Sequence, residues 1–160
     1  MICEGGREEA GPIEFRRLRP ELAEEFERFF QTINNPEDLS FFHPHAFTPE
    51  KARELCEYTG RDLYYVAYDG SAILAYGMLC GWDEGYEIPS LGIALHPAAR
   101  GRGLARTFML FLHLAAKWRG ASKVRLTVFK DNVPAVRLYT GLGYLYQEKN
   151  DQEYVGFIDL

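Results

Sequence analysis

At 160 residues the chain has the length of about one domain, taking roughly 150 residues for each, and its 47% hydrophobic, 26% charged composition excludes disordered and fibrous classes. With 18 basic against 23 acidic residues, the net charge of -5 has the wrong sign for whole-surface attraction to nucleic acid. The longest stretch free of Asp, Glu, Lys and Arg is the 13 residues from Gly70 to Trp82, short of the roughly 18 that a membrane span needs. The first dozen residues carry Glu4, Arg7, Glu8 and Glu9 and lack the apolar core of a secretion signal. The expectation is a single cytoplasmic domain over 1–160, with 1–12 as a loose leading segment and no membrane partner. Cys3, Cys56 and Cys80 fit neither zinc-ligand spacing nor a disulfide framework and read as small apolar side chains.

In chain order, Ile13 to Leu18 alternates as a half-buried strand does, and Pro20 then opens a helical pattern with Leu22, Phe26, Phe29, Phe30 and Ile33 on one face. The pattern stops at Asn34-Asn35-Pro36, and the aromatic stretch to Phe47 reads as loop or short turns. Thr48 as N-cap, Pro49 as first residue and Gly60 as terminator bracket a second helix. Leu63 to Tyr68 and Ser71 to Cys80 form an antiparallel pair around Asp69-Gly70. Ser90 to Leu95 is a further strand, followed by a helix from about Gly103 to Arg119. That helix is apolar almost all round, with Arg106, His113 and Lys117 as its polar line, so it should be covered on most sides. Lys123 to Phe129, Val133 to Thr140, Tyr144 to Gln147 and Tyr154 to Ile158 complete a strand, helix, strand, strand sequence.

The chemistry concentrates between Leu91 and Arg106. Gly101 and Gly103 let a ligand approach the backbone, and free amides at a helix start cradle anions. Arg100, Arg102 and Arg106 place three cations beside them, which suits a pyrophosphate. A dinucleotide fingerprint needs glycine where Arg106 stands, and a Walker loop needs a Gly-Lys-Ser/Thr ending that is missing. What remains is Arg/Gln-x-x-Gly-x-Gly/Ala, filled by Arg100, Gly103 and Ala105. This segment resembles the coenzyme A motif of the GNAT superfamily of acyl-CoA N-acyltransferases. Asn132, Ala135, Leu138-Tyr139 and Leu142-Gly143-Tyr144 are similar to its following motif, with Tyr144 where phenylalanine is commoner.

The resemblance covers residues 91 to 146. It implies an α/β (α+β) fold, a mixed and mostly antiparallel sheet of about seven strands flanked by about four helices, splayed between strands 4 and 5. It implies acetyl-CoA as co-substrate and no metal. The coenzyme would lie on Ile93, Ala94 and Leu95, the turn Arg100, Gly101, Arg102, Gly103, Leu104 and Ala105, and Asn132, Ala135 and Tyr139. A backbone N–H near Ile93 would face the oxyanion. Tyr139 would return a proton to the leaving thiolate, since an ordinary phenol is protonated at neutral pH. Glu87 is the candidate base, in competition with Asp83, Glu84, His43 and His45; Pro89 and the bulge usual in this strand leave its side of the sheet open.

The acceptor lies outside these motifs. Phe41, Phe42, His43, His45 and Phe47, facing Trp82 and Tyr86, suggest an aromatic wall able to stack on a sugar ring. The reading is N-acetyl transfer to a primary amine, an amino sugar or its nucleotide-linked form first, a peptide N-terminus or small amine second. A non-catalytic acyl-CoA sensor is the rival class, against which Tyr139 argues. The oligomeric state is open, a homodimer included.

Overall fold

Strand formers on either side of Asp69-Gly70 pair as expected, and the turn carries its own scaffold. The Asp69 carboxylate accepts from the amides of Ser71 and Ala72, at 2.9 and 2.8 Å, while Gly70 takes φ 90°. This hairpin seeds a seven-stranded sheet in the computed structural model, which describes residues 10–160; Cys3 and most of the loose leading segment lie outside them. The strands are β1 (Glu14–Arg17), β2 (Leu63–Tyr68), β3 (Ile73–Cys80), β4 (Ser90–Leu95), β5 (Lys123–Phe129), β6 (Leu145–Glu148) and β7 (Glu153–Asp159). The spatial order is β1-β2-β3-β4-β5-β7-β6, antiparallel throughout except for the parallel pair β4–β5. Five α-helices accompany it: α1 (Ala23–Ile33), α2 (Pro36–Phe41), α3 (Pro49–Glu57), α4 (Leu104–Trp118) and α5 (Val133–Leu142).

Two apolar layers hold the sheet. On one face Phe26, Phe29, Phe30 and Ile33 of α1 and Ala52, Leu55 and Cys56 of α3 pack on Val66, Tyr76 and Met78. On the other, Phe108, Met109 and Leu112 of α4 join Leu79, Leu91, Val124 and Leu126. Each fully buried large side chain of this kind contributes about 1.5–3 kcal/mol. The approach of α4 to β3 depends on Gly77, where a Cβ would lie 2.7 Å from Leu112 Cδ1 and 2.9 Å from Phe108 Cζ.

Four expectations need correction. The stretch after Asn34 is not all irregular: α2 forms there, because the Asn35 side chain caps the Asp38 amide at 3.0 Å and Pro36 presets the first turn. Gly60 does not terminate α3, which ends at Glu57 with Tyr58 extended. Gly60 instead leaves room for the Tyr58 hydroxyl and the Asp83 carboxylate, which a Cβ would strike. The helix α4 is not covered on most sides; it is an outer layer with the sheet beneath only one face. His113 is therefore buried, and Leu110, Leu114 and Trp118 are exposed. Finally, β4 has no bulge, its register with β3 running unbroken from Cys80–Ser90 to Ala75–Leu95. Among the described residues no helix is long and apolar enough to cross a membrane.

Candidate active site

The seam between β4 and β5 is held by one residue pair, Ser90 with Arg125, and by the Arg125 amide donating to the Pro89 carbonyl at 3.0 Å. Beyond it the strands part. Because backbone groups alternate sides along a strand, the direction of the Pro89 carbonyl fixes those of Leu91, Ile93 and Leu95 toward the gap. Two bonds agree: Leu95 O accepts from Arg100 Nη2 at 3.1 Å on this side, and the His96 amide donates to Leu74 on the other at 2.8 Å. Ile93 thus offers its N–H and carbonyl, and Leu95 its N–H, to a ligand in the gap, the Leu95 carbonyl being held by Arg100. Beside them lies a cavity of about 340 Å³, bounded by Ile93, Ala94, Leu95, Phe42, Asp38 and Asn132.

At the end of β4 the chain turns into α4. Gly101 and Gly103 adopt φ of 73° and 82°, a region open to glycine at little cost, and Gly103 is the residue before the helix. The first helical amide to close a bond is that of Thr107, onto Gly103 O at 3.4 Å. The Leu104, Ala105 and Arg106 amides therefore have no intrahelical acceptor, and the helix dipole adds positive potential there. Arg102 and Arg106 are exposed beside them. Arg100 is not equivalent: its guanidinium pairs with Asp38 at 2.7 Å, linking the turn to α2. With the Arg100 side chain 48% exposed, the pair contributes less than about 1 kcal/mol and acts mainly in orientation. Asp38 went unread in the sequence; its signal was the run Asn35-Pro36-Glu37-Asp38, a cap, a first-turn proline and acidic residues.

Across the gap, Asn132 caps α5 by accepting from the Ala135 amide at 3.4 Å. Tyr139, on this helix, is buried, and desolvation pushes its phenol well above the ordinary value. Its ring lies 5.7 Å from that of Tyr144. The Tyr144 hydroxyl and His113 Nε2 share a 2.7 Å hydrogen bond that ties the end of α5 to α4. Burial lowers the His113 pKa, which favours the neutral imidazole in this bond.

The residues expected to form one aromatic wall fall into separate groups: Phe42 and His45 flank Phe47, with ring centres 6.0 and 5.1 Å from it, Phe41 and His43 each lie 6.1 Å from Phe129, and Trp82 and Tyr86 belong to neither group. Phe42 lies over Gly92, where a Cβ would be 3.4 Å from its Cε2, and it borders the first cavity. His43 is exposed, bonded through Nδ1 to Leu39 O at 2.9 Å, with its ring 6.1 Å from that of Phe129. His45 turns into the core, its Nε2 3.1 Å from the Tyr76 hydroxyl. Trp82 is buried under the Arg119 guanidinium, 5.0 Å from the ring centre. Tyr86 is 63% exposed and borders a second cavity of about 500 Å³ together with Glu84, Glu87, Ser90, Arg125 and Phe157. The separation has a physical origin. The Asp62 carboxylate accepts from the amides of Gly81, Trp82 and Asp83, at 3.0, 2.9 and 3.3 Å, and holds the β3–β4 connection back. Asp83, a rival for the role of base, is occupied by the Tyr58 hydroxyl and the Arg61 amide, which hold its carboxyl below the usual range.

Comparison with known proteins bears on this arrangement. The chain is 41% identical over 71 residues to the mycothiol acetyltransferase of Nocardioides sp., a match covering 42% of this chain and 23% of that protein. It is 29% identical over 102 residues to acetyltransferase SG1711 of Sodalis glossinidius, covering 58% and 70%. The match spans less than a quarter of the Nocardioides protein. In fold, the GNAT domain of S. lividans PAT superposes with a TM-score of 0.78 at 15% identity, over 94% of this chain and 92% of that one. Spermidine N-acetyltransferase from Vibrio cholerae, in complex with CoA and spermine, does so with a TM-score of 0.74 at 18% identity, over 92% and 95%. The description "Acetyltransferase (GNAT) family" matches residues 19–144, the span that contains the parted strands, the glycine turn and the capped α5 helix. Sequence match and architecture agree, and the chain belongs to the GNAT acetyltransferase family.

Proposed function

We propose that this chain transfers the acetyl group of acetyl-CoA to a primary amine. The observation that carries this reading is the gap between β4 and β5, where the unpaired N–H and carbonyl of Ile93 and the N–H of Leu95 lead directly to the free amides at the start of α4. Acetyl-CoA supplies an activated thioester. The amides of Leu104, Ala105 and Arg106, with Arg102 and Arg106, suit its pyrophosphate. The edge of β4 suits its extended amide-containing arm, as a strand suits a neighbouring strand. The Ile93 N–H is a fixed dipole for the charge that develops on the carbonyl oxygen, and a fixed donor needs little reorganisation. Tyr139 is the proposed acid by its place on α5 beside the gap: burial keeps its phenol protonated, while the same burial makes it a weaker proton donor toward the departing sulfur. Glu87, exposed at the second cavity, is the proposed base and would reach the amine through water.

The acceptor follows less directly. An amino-sugar reading now rests on Phe42 and Tyr86, partly open ring faces at the two cavities, without His45 or Trp82 as a shared wall. A small amine needs only the gap and a base. Thiol release from acetyl-CoA, measured over amino sugars, polyamines, amino acids and peptides, tests both. Turnover of one class, with acetyl-CoA binding seen by calorimetry, is the expected result. Absence of coenzyme binding together with no thiol release from any acceptor would overturn the assignment.

A further inference from the structure

Arg125 stands where β4 and β5 last touch. Its neighbours Val124 and Leu126 enter the core beneath α4, so strand alternation sends Arg125 to the opposite face, where it and Phe157 border the second cavity. Among the described residues, Arg125 Nε is the buried side-chain nitrogen or oxygen without a hydrogen-bond partner. Arg125 also takes no part in the ion pairs found among them. A guanidinium carries five donors in a planar fork, and leaving a buried donor unmatched is unfavourable. Nε is the enclosed part of a side chain that is half-buried overall and borders the cavity, so a planar anion entering there meets the guanidinium.

The position relates this cation to the reaction. Ser90, the strand partner of Arg125, is three residues before Ile93 on β4, about 10 Å at roughly 3.3 Å per residue. Phe42 over Gly92 lies between the two points, and Ser90, Gly92 and Ala94 share the sheet face on which Arg125 projects. The cavity is not simply basic, because Glu84 and Glu87 also border it. A pure anion would meet these carboxylates unfavourably, whereas a molecule with an ammonium and a carboxylate satisfies both signs. We infer that Arg125 binds the carboxylate of the acceptor, so that the acceptor class is an amino carboxylate whose amine reaches the gap beside Ile93. This rests on the acetyl-transfer reading and adds the substrate class. The planar fork favours bidentate contact with a carboxylate, and phosphate is the other anion with matching geometry.

Matched acceptors test the inference on the intact protein: lysine against cadaverine, ornithine against putrescine, glycyl peptides against their C-terminal amides, and phosphoethanolamine as the phosphate counterpart. The expected result is at least tenfold higher kcat/KM for the acids than for their neutral-ended or decarboxylated partners. In Arg125→Gln that ratio should collapse toward one through a rise in KM, with the dissociation constant of acetyl-CoA unchanged. Arg125→Lys should restore part of the preference by charge without the fork. Equal or better use of the decarboxylated amines, or a preference that survives in Arg125→Gln, overturns the inference. So does transfer to phosphoethanolamine alone, or acetyl-CoA binding with no amino carboxylate turned over. Should Arg125→Gln fail to fold, the wild-type comparison of matched pairs still decides. Failure to bind acetyl-CoA at all would instead overturn the acetyl-transfer reading.

Discussion

A phenol enclosed by apolar side chains keeps its proton to higher pH than a phenol in water, because the charged form loses its hydration. That is the condition of Tyr139, whose phenol is protonated at neutral pH but is a weaker acid than a phenol in water. Tyr139→Phe is expected to leave acetyl-CoA affinity intact and to lower turnover on the order of 100-fold, measured by calorimetry beside steady-state kinetics. A fully active variant would make the ring a packing element. Gly103 was legible in the sequence because a turn that lets a ligand approach the backbone calls for glycine, whereas Asn132 and Tyr139 were legible only through the resemblance of their segment to the family's second motif. His45 and Trp82 were not. Each is an aromatic residue near the right segment, but its direction is set by a distant partner, Tyr76 in one case and Arg119 in the other.

Between elements, α4 and α5 are joined by the buried bond from His113 to Tyr144. Burial lowers the His113 pKa below its ordinary 6.5, and burial does the same to His45. The unfolded chain therefore takes up these protons first as pH falls. Their contribution to stability is complete above about pH 6.5 and declines below it, continuing through the lower folded values. Denaturation midpoints should thus fall between pH 7.5 and 5, and His113→Gln should flatten part of that slope. A variant with the wild-type slope would show that His113 does not contribute. The helix α2 teaches a different lesson about legibility. Six residues are too few for a helical period to emerge, and only its cap signals were readable. Asp38 on that helix, and its pairing with Arg100, needed the folded chain to be seen. In α4 the apolar pattern itself was readable, but which of its faces the sheet would cover was not.

For the molecule as a whole, the order of elements was legible from the residue pattern and the parted sheet from two spaced motifs, while the anchoring of the β3–β4 connection by Asp62 and its three amide contacts was not. The narrow seam has a further consequence. With one residue pair joining β4 to β5, each half of the sheet holds itself together, and little hydrogen bonding couples them. A ligand that bonds to Ile93 and Leu95 while engaging α5 acts as a missing rung, so occupancy and rigidity rise together. Amide hydrogen exchange makes this visible. In the free protein the Ile93 and Leu95 amides should exchange much faster than those of Tyr76 and Met78 in the interior of β3, and saturating acetyl-CoA should slow them selectively. The same binding should raise the melting temperature with the logarithm of ligand concentration. Equal protection of the alternate β4 amides before ligand is added would contradict the picture of two half-sheets clasped by a ligand between them.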